Sequence, residues 1–158
     1  MRMKMTKFKV RTGTSKDIKE LVHQRHRMFE DMHIQTRKDL EIHDGAFPRW
    51  MKRQMKAKRF VAFIVETEDG QVVGGGSLWM RDVQPYPGFA GGRVRCLMSM
   101  YTDPSFRGKG IGSMVVRHAI AWCRHHGYQS ISLHASKMGR PLYEGMGWKK
   151  SNEMELDL

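Results

Sequence analysis

Residues 93–135 constrain the architecture of this chain more than any other stretch. RVRCLMSMYT alternates as a strand does, and SFRGKGIG then packs three glycines and two cations into a turn. SMVVRHAIAW follows as an amphipathic helix, Gly127 stops it, and QSISLHA returns to strand alternation. Strand, helix and strand in that order make a parallel pair joined by a right-handed crossover. The glycine turn lies where the helix starts. Its amides therefore gather at the positive end of the helix dipole, with no side chain at three positions to keep a ligand away. A pyrophosphate suits that device. The turn is not a Walker loop, because no GK[ST] follows, and its glycines run GxGxG rather than GxGxxG. A tight strand-to-helix turn without a ligand is the plain alternative.

The rest of the chain supplies a sheet for that pair to join. FKVRTGT (8–14) reads as a first strand, and Thr14 to Asp17 resembles a helix-start box. Ile18, Leu21, Val22, Arg25, Met28, Phe29 and Met32 recur at helical spacing. A polar connection over 33–44 leads to Phe47 and Pro48, with proline in the first turn of a second helix. Phe47, Trp50, Met51 and Met55 form its apolar stripe, and Arg49, Lys52, Arg53, Lys56 and Arg59 its wet side. Two strands follow around Asp69-Gly70, a hairpin signal, and Gly74, Gly75 and Gly76 mark a bulge or a close backbone approach. Residues 84–92 are an exposed loop. Residues 140–146 form a short helix, and the tail from Trp148 is expected to add one or two strands. With 158 residues and no repeat, 1–158 reads as a single domain.

Composition excludes several classes. The longest apolar run, FVAFIV, has strand length, far below the roughly 20 residues of a membrane span. The basic start, MRMKMTKFKV, lacks the apolar stretch of a secretory signal, so no membrane association and a cytoplasmic location are expected. Cys96 and Cys123 stand outside any CxxC pair, and no metal is expected. The net charge of +12 permits nucleic-acid binding, but no RNA-binding signature or recognition-helix motif accompanies it, so that partner is disfavoured.

The flanks of the glycine turn carry a resemblance. MYTDPSFRGKGIG is similar to the acetyl-CoA-binding signature of the GCN5-related N-acetyltransferases, R/Q-x-x-G-x-G/A, with Arg107, Gly110 and Gly112 on its positions. LHASKMGRPLYEGMGW (133–148) resembles the strand and short helix that follow in one branch of the family, with its LHAS…LYE..G(F/W) block. The ending SNEMELDL and RHRMFEDM near residue 30 resemble that branch as well. The resemblance implies an α/β (α+β) fold: a mixed, mostly antiparallel sheet with a splayed parallel strand pair, flanked by about four helices.

It also implies acetyl-CoA as co-substrate and direct attack of an acceptor amine, small-molecule or peptide, on the thioester. A non-catalytic acyl-CoA-binding protein of the same fold is the alternative. A homodimer is left open. By the resemblance, Arg107, Gly108, Lys109, Gly110, Ile111, Gly112 and Ser113 hold the pyrophosphate. Met100, Tyr101 and Thr102 pair with the pantetheine arm, and Ser136 stands where relatives contact that arm. The Met100 amide donates to the thioester oxygen, and Tyr143 is the general acid for the departing thiolate. For the base, the 93–102 strand has no carboxylate where several relatives carry glutamate. His134 is one candidate, with a structural histidine as the alternative. Glu30, Asp31 and Glu41 are others, with surface charge as the alternative. Cys96 makes a poor acyl carrier, having no histidine near it in sequence.

Overall fold

The computed structural model describes residues 7–158. Residues 1–6, part of the start read as lacking a secretory signal, lie outside the described residues. The elements run β1 (Phe8–Thr12), α1 (Ile18–Met32), α2 (Arg37–Lys56), β2 (Phe60–Thr67), β3 (Val72–Val83), β4 (Gly92–Thr102), α3 (Ile111–His125), β5 (Ser132–Leu133) and α4 (Arg140–Gly145). Five strands form one sheet in the order β1-β2-β3-β4-β5. The first three pairings are antiparallel, and β4 and β5 run parallel, as the crossover pattern requires.

Strand β2 explains why FVAFIV is apolar throughout. Phe60, Ala62 and Ile64 pack with Ile18, Leu21 and Met51 of α1 and α2. Phe63 and Val65 face the other way, into a cluster with Ile111, Val115, Val116 and Ala119 of α3. A strand covered on both faces has no wet side, so period-two alternation disappears. Among the described residues no helix is long and apolar enough to cross a membrane.

Three expectations change. Residues 37–44 belong to α2, so only four residues separate the first two helices. Thr36 starts α2 by accepting from the Asp39 amide at 3.1 Å, while the Asp39 carboxylate accepts from the Thr36 amide at 3.1 Å. That first stretch hides in the sequence because its one buried apolar residue is Leu40 and Ile42 is exposed. Pro48 consequently sits inside the helix and withholds the N–H that would bond the Asp44 carbonyl. Strand β5 pairs over two residues rather than seven. The tail forms no strand, and residues 149–158 are exposed. With so short a β5 there is no ladder for its alternating Met154, Leu156 and Leu158 to extend.

The helix-start box at Thr14 does form, and Asp17 anchors it: its carboxylate accepts from the Thr14 amide at 2.7 Å and from Arg11 Nη2 at 2.8 Å. Arg11 also reaches Glu66 on β2 at 2.7 Å. Chiefly through Arg11, the Asp17 carboxyl falls from its ordinary 3.8 to about 2. The folded value lies below the unfolded one, so this stabilisation is complete above the unfolded value and is lost as pH falls through the folded one. Denaturant titrations from about pH 5 to about pH 2 should show Asp17→Asn losing at most about 2 kcal/mol less stability than the parent over that range.

Candidate active site

The site is organised by a defect in the sheet. Ser77 pairs with Met98 but Gly75 pairs with Tyr101, so Ser99 and Met100 of β4 stand opposite Gly76 alone. Ser99 takes φ 56°, and this bulge bends β4 there. The three glycines of β3 make the close approach feasible. A Cβ on Gly74 would lie 2.7 Å from the Tyr101 carbonyl, and one on Gly76 would lie 2.5 Å from Met100 Sδ and 2.9 Å from Val115. Past the bulge, β4 runs without β5, which pairs only Cys96 and Leu97 among the described residues. No strand therefore covers the backbone edge of Met100, Tyr101 and Thr102 on that side, although the Thr102 carbonyl already accepts from Arg107.

Strand β4 leads directly into the glycine turn. Asp103 accepts from the Ser105 amide at 2.9 Å, and a 3₁₀ turn, Pro104–Phe106, follows. Gly108 and Gly110 take φ of 75° and 81°, a region other residues enter only with strain. Gly110 precedes α3 with no side-chain cap, which leaves the amides of Ile111, Gly112 and Ser113 without helical acceptors. Whereas a Cβ at Gly112 would lie 3.0 Å from Leu142, one at Gly108 or Gly110 would meet nothing within 4 Å, so the turn is open at those two positions. A pyrophosphate fits there. The two cations are held differently. Lys109 lies over the Phe106 ring at 4.8 Å, while Arg107 donates to the Thr102 carbonyl at 3.0 Å and pairs with Asp31 of α1.

Helix α4 brings a third part. Tyr143 is buried in the same cluster as Ile111 and Val115, against which Met100 and Leu133 pack. Ser136 accepts from the Gly139 amide at 3.1 Å, and a Cβ on Gly139 would press within 2.9 Å of the Tyr143 ring. Ser136 and Tyr143 thus share one corner. Burial pushes the Tyr143 phenol above its ordinary value, which keeps it protonated at neutral pH. Burial likewise pushes the Cys96 thiol up, which makes it a weaker nucleophile. His134 is not drawn into this assembly. Its side chain is 76% exposed, with Nε2 3.6 Å from Glu153 in the tail.

The opposite face of the bulge holds residues that sequence reasoning did not single out as functional. Arg25 Nη1 donates to Ser99 Oγ at 2.6 Å, and its guanidinium lies 4.9 Å from the Phe29 ring centre and 5.1 Å from that of Phe47. Beside them, His43 and His26 converge on Asp44 at 3.0 and 2.8 Å. The signal was an arginine on the apolar stripe of α1, where a charge has no reason to sit unless something answers it. An open cleft of about 870 Å³ between α1 and α2 is lined by Glu30, Asp31 and Glu41 among others. Each of the three is already paired: Glu30 with Arg27, Asp31 with Arg107, and Glu41 with Arg37.

The Acetyltransferase (GNAT) family matches residues 22–148, which takes in most of α1, the glycine-backed bulge, the uncapped turn and Tyr143. The chain belongs to this family. It is 31% identical over 90 residues to a glucosamine 6-phosphate N-acetyltransferase of Trypanosoma brucei brucei, a match over 56% of this chain and 59% of that protein. The chain thus spans little more than half the length of that relative. Two solved structures are similar over nearly their whole length. A GCN5-related N-acetyltransferase from Ralstonia eutropha JMP134 has TM-score 0.87 at 25% identity, covering 96% of this chain and 99% of that one. A predicted acetyltransferase from Clostridium acetobutylicum, solved with acetyl-CoA, has TM-score 0.86 at 28% identity, covering 96% of each chain. The GNAT sheet and helices expected from the resemblance are those observed.

Proposed function

We propose that this GNAT chain is an acetyl-CoA-dependent N-acetyltransferase in which an acceptor amine attacks the thioester directly, within a single domain over 1–158. The observation that carries this is the uncapped amide turn beside a β4 edge left free by β5. Acetyl-CoA, when bound, supplies the activated acetyl group. The amides from Gly108 to Ser113 receive its pyrophosphate, and Lys109 adds a positive charge there. The β4 edge of Met100, Tyr101 and Thr102, which no strand covers, aligns the pantetheine arm as a neighbouring strand would. Held by the bulge, the Met100 amide points a fixed dipole at the thioester oxygen, which lowers the cost of charge developing there. Tyr143, protonated because it is buried, gives its proton to the departing thiolate. Arg107 acts as a tie between the turn and α1 through Asp31, and Ser136 orders the loop above Tyr143. The acetyl-CoA-bound Clostridium relative supports the choice of co-substrate, and the amine acceptor of the trypanosome relative supports the choice of acceptor.

Calorimetry with acetyl-CoA, followed by thiol release across a panel of small amines and peptides, tests this. Binding of acetyl-CoA with amine-dependent thiol release is expected. Absence of binding overturns the proposal, and binding without release for any amine leaves the acyl-CoA-binding alternative, favoured by the missing carboxylate on β4.

A further inference from the structure

Among the arginines of the described residues, only the half-buried Arg25 has a donor shut off from solvent with nothing to answer it. Burial lowers its pKa, and no carboxylate lies within 4.0 Å of it among the described residues. Its Nε is shut off from solvent and has no hydrogen-bond partner. Arg95 shows how this chain satisfies a buried guanidinium when the role is structural. There Nε and Nη2 donate to the Ser130 carbonyl at 3.0 and 2.6 Å, Nη1 donates to the Arg93 carbonyl, and the Tyr128 ring lies at 4.2 Å. Arg11, nearer the surface, takes two carboxylates. Arg25 has one hydroxyl, Ser99 Oγ, and two aromatic faces. A guanidinium carries five N–H donors in a planar fork, and a desolvated charge without a counter-charge is costly.

The position says which ligand would answer it. Successive residues of a strand point to opposite faces. Met100 packs toward Val115 and the α3 side, whereas Ser99 turns its hydroxyl to α1. The amide turn of α3 receives its anion on one side of β4, and Arg25 waits on the other, next to the backbone proposed to hold the thioester. A narrow cavity of about 10 Å³, room for about one water, opens beside it between Gln24, Phe47, Gly76 and Ser99.

We infer that Arg25, held between Phe29 and Phe47 and braced on Ser99, is the specificity residue for the acceptor, and that the acceptor amine carries an anionic group, carboxylate or phosphate, which this guanidinium binds. The inference rests on the acetyl-transfer reading above. Planar, bidentate recognition of either anion is what a guanidinium does better than an ammonium.

Paired amines test it: leucine against leucinamide, and phosphoethanolamine against ethanolamine, titrated calorimetrically into the CoA-loaded protein. The anionic member of at least one pair should bind about tenfold or more tightly than its neutral partner, and the pair that shows it identifies the anion. In Arg25→Met the ratio should fall to about twofold or less, and Arg25→Lys should keep part of it. A merely structural Arg25 would weaken both members of a pair alike. Equal binding within both pairs by the parent overturns the inference, as does a preference that survives in Arg25→Met. The pairs can also be titrated without CoA. A protein that fails to bind acetyl-CoA yet keeps an Arg25-dependent anion preference defeats the acetyl-transfer reading and not this one.

Discussion

Tyr143→Phe should lower kcat by about two to three orders of magnitude while acetyl-CoA affinity stays within about twofold of the parent. The substitution removes one oxygen and keeps the ring that packs against Trp148, whose centre lies 5.9 Å away. Shape and burial are therefore preserved, and melting temperature should hardly move. What goes is the proposed proton donor. An expelled thiolate must otherwise take its proton from water, at a corner where Tyr143 is buried and Ser136 and Gly139 are half-buried. Because burial raises the phenol's pKa, the group is fully protonated across the neutral range. An ordinary phenol is a weaker acid than an ordinary thiol by about 1.5 pKa units, and burial widens the gap, so the transfer runs modestly uphill and needs the donor held against the leaving sulfur. Single-turnover thiol release separates this step from cofactor binding. A variant with parental turnover would leave Tyr143 as a packing residue only.

The contrast between what could and could not be read in the sequence follows from the range of the interactions concerned. The glycine turn was legible because its requirement is local: φ values of 75° and 81° at Gly108 and Gly110 strain other residues whatever surrounds them. The 67–71 hairpin and the Thr14–Asp17 box were legible for the same reason, each closed by bonds between near neighbours. The early start of α2 was not, although Thr36 and Asp39 form the same kind of box, since the turns that follow it bury almost nothing. The expected tail strands failed because alternation is a property of one segment, while a strand needs a neighbour with free edge. The bulge at Ser99 and its tie to Arg25 join residues 74 positions apart. No periodicity records a pairing of that kind, and only the unexpected charge on an apolar stripe hints at it.

Substituting Gly75 by alanine should cost more than about 3 kcal/mol, a fall of about 10 °C in Tm for a chain of this size. Gly75 has no unusual φ, so the cost is one of space. Its added methyl would collide with the Phe63 carbonyl of β2 and lie 2.9 Å from Gln24 Oε1. Neither neighbour yields cheaply. Phe63 is fully buried in the middle of the β2–β3 ladder, so its carbonyl moves only if that ladder moves. Gln24 is 2% exposed and donates to the Gly74 carbonyl at 3.4 Å, which fixes α1 over the glycines. Displacing it would leave buried amide atoms unpaired, a further penalty of about 1–3 kcal/mol. Gly45 gives the control: it lies inside α2, a Cβ there would meet nothing within 4 Å, and Gly45→Ala should raise stability by about 0.5–1 kcal/mol. The two alanine variants should thus shift thermal unfolding in opposite directions. Equal melting of Gly75→Ala and the parent would mean that the glycines of β3 do not hold α1 and β4 together. If they do hold them, any folded fraction of Gly75→Ala should also have lower turnover, because Gly75 pairs with Tyr101 at the edge of the bulge proposed to aim the Met100 amide.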